Sequence, residues 1–289
     1  MKKSLLIIGA EKPGVSTKKI IEEAEKIFDK VKFVPVNDIV LRVNKKFEIT
    51  YKGEDLTKYD YCLPRIDSKR ASHGYHVIKF MDILGMKKPY SAESIIIAHN
   101  KFLSLDVLRQ AGVPIPETYL VSSIESAEQV LKKMKYPIVV KIASGYGGMG
   151  VMFFEDRSAA LSAVETMIER KHQVLIEEFL KNPGEDNRAY VVGGRVVAGY
   201  KRKCARDELR SNMLVGGTAE YTNLSEEMKD IAIKAAAAVG SDILAVDIIP
   251  SDKGPRVVEV NLNSGLKGIQ SYVNVAKIIV EWIADQVEK

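Results

Sequence analysis

Cysteine is scarce in this chain of 289 residues: Cys62 and Cys204 lie far apart with no Cys-x-x-Cys spacing. That excludes a disulfide framework and a cysteine-based zinc site, and suits a reducing cytoplasm with both as free thiols. Aromatic residues are few, at 7% with a single tryptophan. The main basic run has none interleaved, so stacking on single-stranded nucleic acid is not expected. No window approaches the roughly 18 apolar residues of a membrane-spanning helix. The N-terminus starts with two lysines like a signal peptide, but its apolar run from Leu5 to Ala10 is short and meets Glu11 and Lys12. A buried first strand is expected there instead. A Walker phosphate loop is missing as well, because Val15 stands where the near-miss GAEKPGVST would need its lysine. That segment reads as a strand-to-helix turn capped by Ser16 or Thr17.

What is present is ordinary for a folded chain: 46% hydrophobic and 28% charged residues, far from the disordered range. The net charge of +5 is mild and selects no partner by itself. At roughly 150 residues per domain the length allows about two domains. SLLIIG as a strand, a helix over 17–30 and VKFVPV as the next strand make a β-α-β rhythm. A small parallel-sheet domain follows from it, continued by IVLRV, FEITYKG and YDYCLPRI, with a helix over 73–84. A helix bearing Lys101, Leu105 and Leu108 ends at Ala111-Gly112 before Pro114 and Pro116, which places a boundary near residue 95. Strand TYLVSS, helix 124–134, strand PIVVKIA, a glycine loop, strand VMFFED and helix 158–170 make a second unit. A third begins at HQVLIEEFL, contains the hairpin RAYVVGGRVVAGYKRKC and an alanine-rich helix over 226–239, and ends in two strands and a helix over 273–287. There is no internal repeat and no low-complexity segment.

Three clusters carry chemistry. In KIASGYGGMGV, Lys141 ends an apolar strand before Gly145, Gly147, Gly148 and Gly150. Glycines permit close backbone approach, so N–H groups can turn toward phosphate oxygens. A plain glycine hairpin is the bland alternative, and Lys141 beside the loop favours the phosphate cradle. In LAVDIIP and RVVEVNLN, Glu259 and Asn261 are two apart and share a strand face. A hairpin pairing Pro250 with Arg256 sets Asp247 opposite Glu259. Two carboxylates and an amide oxygen suit Mg²⁺, and apolar neighbours argue against a merely solvated face. The third cluster, KRKCARDELRSN, offers Arg202 and Arg210 with Ser211 and Asn212 as groups that neutralise phosphoryl charge. Lys203 and Arg206 read as a solvated edge.

PIVVKIASGYGGMGV, LIEEFL, GEDNRAYVVGGRVVAGYKRKC, LRSNMLVGG and AVDIIPSDKGPRVVEVNLNSGLKGI follow the order and nearly the spacing of ATP-grasp ligases. They resemble the RimK-type glutamate ligases in particular. LPRIDSKRASHG and NKFLSLDVLRQAGVPIPET are similar to the same family's N-terminal domain and helical lead-in, so the resemblance covers most of the chain. It implies an α/β (α+β) ATP-grasp fold behind an N-terminal parallel-sheet, pre-ATP-grasp domain at 1–95. A lid subdomain at 96–175 and a metal-bearing subdomain at 176–289 complete it.

By the same resemblance, Lys101 and Lys141 contact nucleotide phosphates with the loop glycines. Glu177, Glu178, Phe179 and Leu180 form the hinge that reads adenine, and Asp186 lies near the ribose. Arg210, Ser211 and Asn212 meet phosphates and an acylphosphate, and Asp247, Glu259 and Asn261 bind Mg²⁺, with Mn²⁺ as a substitute. Without the resemblance, Lys101 reads as an exposed helix lysine and Glu178 as a solvated strand-end charge. The family often has a Ser-Pro step after the metal asparagine, whereas 261–268 read NLNSGLKG here. The lost proline and Lys267 fall where substrates approach, which leaves substrate identity open and ATP use intact.

The implied activity is an ADP-forming carboxylate–amine ligase that adds glutamate or another amino acid to an acidic acceptor, with Arg65, Lys69, Arg70, Arg202 and Lys267 as docking cations. The acceptor is a protein C-terminus ending in acidic residues, a glutamylated coenzyme such as a pterin or deazaflavin, or an amino-group carrier protein. A cytoplasmic homo-oligomer, dimer or tetramer, is expected, without nucleic acid or membrane partners. The rival reading is a regulatory module that binds ATP and does not turn it over.

Overall fold

The computed structural model describes residues 3–143, 151–181, 185–203 and 218–289. The apolar run near the N-terminus forms β1 (Ser4–Gly9), buried from Leu5 onward. It pairs in parallel with β2 (Lys30–Pro35) and β6 (Tyr61–Pro64), in the order β2-β1-β6. Helix α1 (Val15–Ala24) starts earlier and ends sooner than its periodicity predicts. Gly14 occupies the cap position without a side-chain bond. Ser16 caps nothing, and its Oγ accepts the Leu266 N–H at 2.8 Å. At the other end, Lys26 and Ile27 donate to carbonyls three residues back, a tightened turn that folds Phe28 into the core.

IVLRV and FEITYKG do not extend the parallel sheet. They form β3 (Val40–Val43) and β4 (Phe47–Tyr51), which with β5 (Glu54–Asp55) make a separate antiparallel sheet. Their links are short hairpins, whereas a parallel step needs a crossover connection. Helices α2 (Ala71–Ile83), α3 (Ala92–His99) and α4 (Lys101–Gln110) follow. Asn100 caps α4, its Oδ1 accepting the Leu103 N–H at 3.1 Å, so Lys101 is the first residue of that helix.

The middle unit is an antiparallel sheet in the order β7-β10-β8-β9, made of β7 (Thr118–Val121), β8 (Ile138–Ile142), β9 (Val151–Phe154) and β10 (Val174–Glu178). Helices α5 (Ile124–Leu131) and α6 (Arg157–Glu169) cover one face, against Ile138, Val140, Val174 and Ile176. Strand alternation sends Val139, Lys141, Leu175 and Glu177 to the other face. β10 therefore completes this sheet beyond residue 175, while α3 and α4 pack on the C-terminal unit. The sheet β7-β10-β8-β9 with its two helices spans 118–178.

The C-terminal unit is a five-stranded antiparallel sheet, β13-β12-β11-β14-β15, of β11 (Glu185–Val192), β12 (Arg195–Lys203), β13 (Thr218–Tyr221), β14 (Ile243–Ser251) and β15 (Gly254–Asn261). Helix α7 (Glu226–Val239) covers one face, ending at Gly240 with φ +71°, and α8 (Val275–Glu288) covers part of the other. Each face shares its apolar core with the N-terminal domain, one through α3 and α7 and the other through α1 and α8. The middle unit has a core of its own. Among the described residues no helix is long and apolar enough to cross a membrane.

Candidate active site

The site grows from one row of the large sheet. Tyr200, Arg188, Asp247 and Glu259 are direct cross-strand neighbours on β12, β11, β14 and β15. The next row on that face is Ala198, Tyr190, Ala245 and Asn261. The expected pairing of Asp247 with Glu259 is present, but by another route. Pro250 pairs with Pro255 rather than Arg256, and a bulge at Val258 shifts the register by one residue before Asp247 is reached.

Asp247 is 2% exposed. Arg188 grips it with Nε–Oδ1 and Nη2–Oδ2 bonds of 2.6 Å each, and Arg202 Nη2 lies 2.9 Å from its Oδ2. Burial alone would raise the Asp247 pKa, but the two guanidiniums outweigh it and hold the group below the usual carboxylate range. Arg202 also binds Asp186, with Nε–Oδ1 at 2.6 Å and Nη2–Oδ2 at 2.5 Å. Arg202 is thus a buried brace for two aspartates, and Asp186 turns its carboxylate to it.

The lysines sit at the seam between units. Lys141 Nζ is 2.5 Å from Glu177 Oε2, a diagonal pair on the uncovered face of the middle sheet. Lys101, at the start of α4, places Nζ 3.9 Å from Glu259 Oε1. Burial lowers the Lys101 pKa, Glu259 opposes that, and Lys141 adds to it. Lys101 thus lies within electrostatic reach of Lys141 and of two carboxylates, Glu259 and Glu177, and is not the idle surface charge of a plain reading. Glu178 Oε1 accepts the Glu117 N–H at 3.1 Å, and its other oxygen pairs with Lys253. The ring of Phe179 meets that of Phe153 edge-on at 5.9 Å, and Leu180 is buried. Lys181 O accepts the Asp252 N–H at 3.3 Å, so the 177–180 segment is strapped to the β14–β15 turn.

Gly145, Gly147, Gly148, Arg210, Ser211 and Asn212 lie outside the described residues. Of the docking cations, Arg70 is engaged with Glu11 and Asp67, Lys267 is exposed, and Arg65 is 7% exposed with Nη2 donating to Ser264 O at 2.9 Å. Arg188, Tyr190 and Ser264 were not singled out from the sequence. Arg188 Nη1 donates to Ser264 Oγ at 3.0 Å, and Tyr190 Oη donates to Gly265 O. The signal for the two strand residues is the alternation Asp186-x-Arg188-x-Tyr190, which puts them on the strand face of Asp186.

The donor set suits a hard cation. Guanidinium N–H groups take three of about four acceptor positions on Asp247, leaving one. Among the described residues the nearest cation to Glu259 is 3.9 Å away and Asn261 Nδ2 has no hydrogen-bond partner, so neither side chain is spent on the fold there. Among the described residues no three or more His, Cys, Asp or Glu gather for a metal. Two carboxylates and an amide, completed by oxygens of a substrate, fit Mg²⁺.

A model of the RimK-like ATP-grasp domain matches residues 98–283, and one of the RimK PreATP-grasp domain matches residues 4–95. Proteins named probable alpha-L-glutamate ligase from Aliivibrio salmonicida and Methanococcoides burtonii are 34% and 33% identical over 273 residues, which is 93% of this chain and 91% of each relative. The fold is shared with ATP-grasp ligase PsnB, solved with a variant of its minimal precursor, Mg and ADP, at TM-score 0.77, 16% identity and 99% of both chains. It is shared also with D-alanine–D-alanine ligase from Bacillus anthracis, solved with ATP, at TM-score 0.68 and 20% identity over 100% of this chain and 98% of that one. With both family models laid end to end over nearly the whole length, and Lys101, Lys141, Asp247, Glu259 and Asn261 brought to one seam, the chain belongs to the RimK-type family of ATP-grasp ligases.

Proposed function

We propose that this ADP-forming ligase activates a carboxylate of an acidic acceptor as an acylphosphate and joins it to the amine of an amino acid, L-glutamate above others. One observation carries the reading: Lys101 and Lys141, from different units, meet at the edge of an oxygen-donor set, with Lys101 Nζ 3.9 Å from Glu259 Oε1. Two ammonium groups held near each other are relieved by a polyanion, and phosphates are the polyanion an Mg²⁺-type donor set accompanies.

In this reading the backbone of Glu177 to Leu180 reads the adenine, beside the Phe153 and Phe179 rings. Lys101 and Lys141 hold the phosphates. Asp247, Glu259 and Asn261 would hold Mg²⁺, or Mn²⁺ in its place, which supplies neutralisation of phosphate charge when bound. A carboxylate oxygen attacks the terminal phosphorus and ADP leaves. The amine nitrogen then attacks the acyl carbon, phosphate departs with the bonding pair, and the nitrogen loses its proton. Arg210 and Asn212, with Ser211, stabilise the transferring phosphoryl group and the later oxyanion. No side-chain nucleophile takes part.

The test combines enzyme, ATP and Mg²⁺ with pairs of acidic peptides or coenzymes and amino acids. ADP should form together with an amide product heavier by one amino-acid residue. An acceptor carboxylate enriched in ¹⁸O should pass one labelled oxygen to inorganic phosphate. Bound ATP with no ADP and no amide over a broad panel would turn the assignment toward a non-catalytic nucleotide-binding module.

A further inference from the structure

Two guanidiniums, Arg65 and Arg188, converge on Ser264, and among the described residues a carboxylate answers only Arg188. Arg188 and Arg202 share Asp247 and Asp186. Arg65 Nη2 donates to Ser264 O at 2.9 Å, and Arg188 Nη1 to the Oγ of the same residue at 3.0 Å. Arg65 is 7% exposed, its Nε has no hydrogen-bond partner, and the groups that act on it electrostatically are the phenols of Tyr90 and Tyr190. Among the described residues it has no carboxylate partner. A buried guanidinium without a counter-charge is a costly arrangement, and here the uncompensated charge stands where ligands bind in parallel α/β sheets.

That position follows from the topology. Arg65 comes directly after β6, at the carboxyl edge of the parallel sheet, and its N–H donates to Ile8 O at 2.7 Å. Gly9 lies so close that a Cβ there would stand 3.3 Å from Arg65 O. From the other side, Asn263 Nδ2 donates to Arg65 O at 3.1 Å. Arg65 is thus fixed between the sheet edge, where crevices for ligands form, and the segment that follows Asn261.

We propose that Arg65 anchors a carboxylate of the acidic acceptor, so that the acceptor lies between the edge of the N-terminal sheet and residues 262–268. The proposal rests on the ligase reading given above and names what its acceptor must present. The unused Nε donor and the charge select a carboxylate over a carboxamide of the same shape, since only the anion neutralises the guanidinium.

Calorimetric titration tests it on the whole chain with ADP and Mg²⁺ present, using L-glutamyl-L-glutamate and its three mono-amides. The wild type should bind the acid at least about tenfold more tightly than one of the amides. Arg65→Gln should bind acid and amide alike while keeping its ADP affinity, and Arg65→Lys should recover part of the preference. If Arg65→Gln does not fold, the wild type and Arg65→Lys carry the comparison. Preference retained in Arg65→Gln, an equal weakening of acid and amide, or no binding of the dipeptide by the wild type overturns the proposal. Absence of ADP formation by the wild type would instead count against the ligase reading, and it is a separate measurement.

Discussion

Two cation–carboxylate systems meet at this site, and they are built from different residues. On the large sheet Arg188 and Arg202 hold Asp247 and Asp186 through paired bonds of 2.5 to 2.6 Å, buried, on adjacent strands. At the seam Lys141 and Lys101 face Glu177 and Glu259 through single contacts, one of 2.5 Å and one of 3.9 Å. A planar guanidinium matched to a carboxylate in two bonds fixes orientation, whereas an ammonium on a four-carbon stem exchanges one anion for another. In the function proposed above, the arginine side sets geometry and the lysine side receives charge. The units differ in the same sense: the arginine sheet shares both its cores with the N-terminal domain, while Lys141 and Glu177 belong to a sheet with a separate core.

The strongest way to break the contrast is Asp247→Asn. It leaves two buried guanidiniums short of one counter-charge, and removing one partner of such a network costs about 3–5 kcal/mol. Denaturant unfolding without nucleotide or metal should show that loss, together with lost turnover. A change below about 1 kcal/mol would mean that the arginines do not depend on Asp247, and the division of labour would fail.

The lysine side should respond oppositely to a paired change. Lys141→Met with Glu177→Met removes both partners, so no charge or polar group is left buried alone, and stability should move by no more than about 1 kcal/mol. ATP affinity should fall by about 10- to 100-fold, equivalent to roughly 1.4–2.8 kcal/mol. Equilibrium binding of ATP with Mg²⁺ decides it. Unchanged affinity in the double variant would place Lys141 in the fold rather than in phosphate binding.

The sequence shows part of this contrast and hides the rest for identifiable reasons. Glu259-x-Asn261 on an apolar strand and Lys141 at a strand end are legible because strand alternation and neighbouring polarity announce them. The facing of Asp247 and Glu259 is legible only in outcome, since it depends on a bulge at Val258 that cancels a one-residue error in the turn. Arg188 is hidden in the sequence because its worth lies in three strands at once: it stands beside Tyr200 and Asp247 and reaches Ser264. Arg202 looks like a free cation within a basic run until β11 brings Asp186 opposite it. Burial and pairing across strands, which the order of residues does not display, add to residue type in deciding which cation is locked.

The smallest expected effect sharpens the lysine side through pH. His99 ends α3, two residues before Lys101. Burial lowers its pKa, the Ile66 carbonyl and Asp67 oppose this, and Lys101 adds to the lowering. The unfolded histidine, with pKa near 6.5, therefore binds more protons than the folded one as pH drops below that value. Stability then rises with pH, and is lost as pH falls from about 6.5 toward the lower folded pKa. Wild-type unfolding free energy should decline between pH 7.5 and 5.5, and His99→Gln should flatten the slope over that interval. A slope identical in the variant would show that His99 is not enclosed beside Lys101, and that the seam holds its lysine without excluding water from its neighbour.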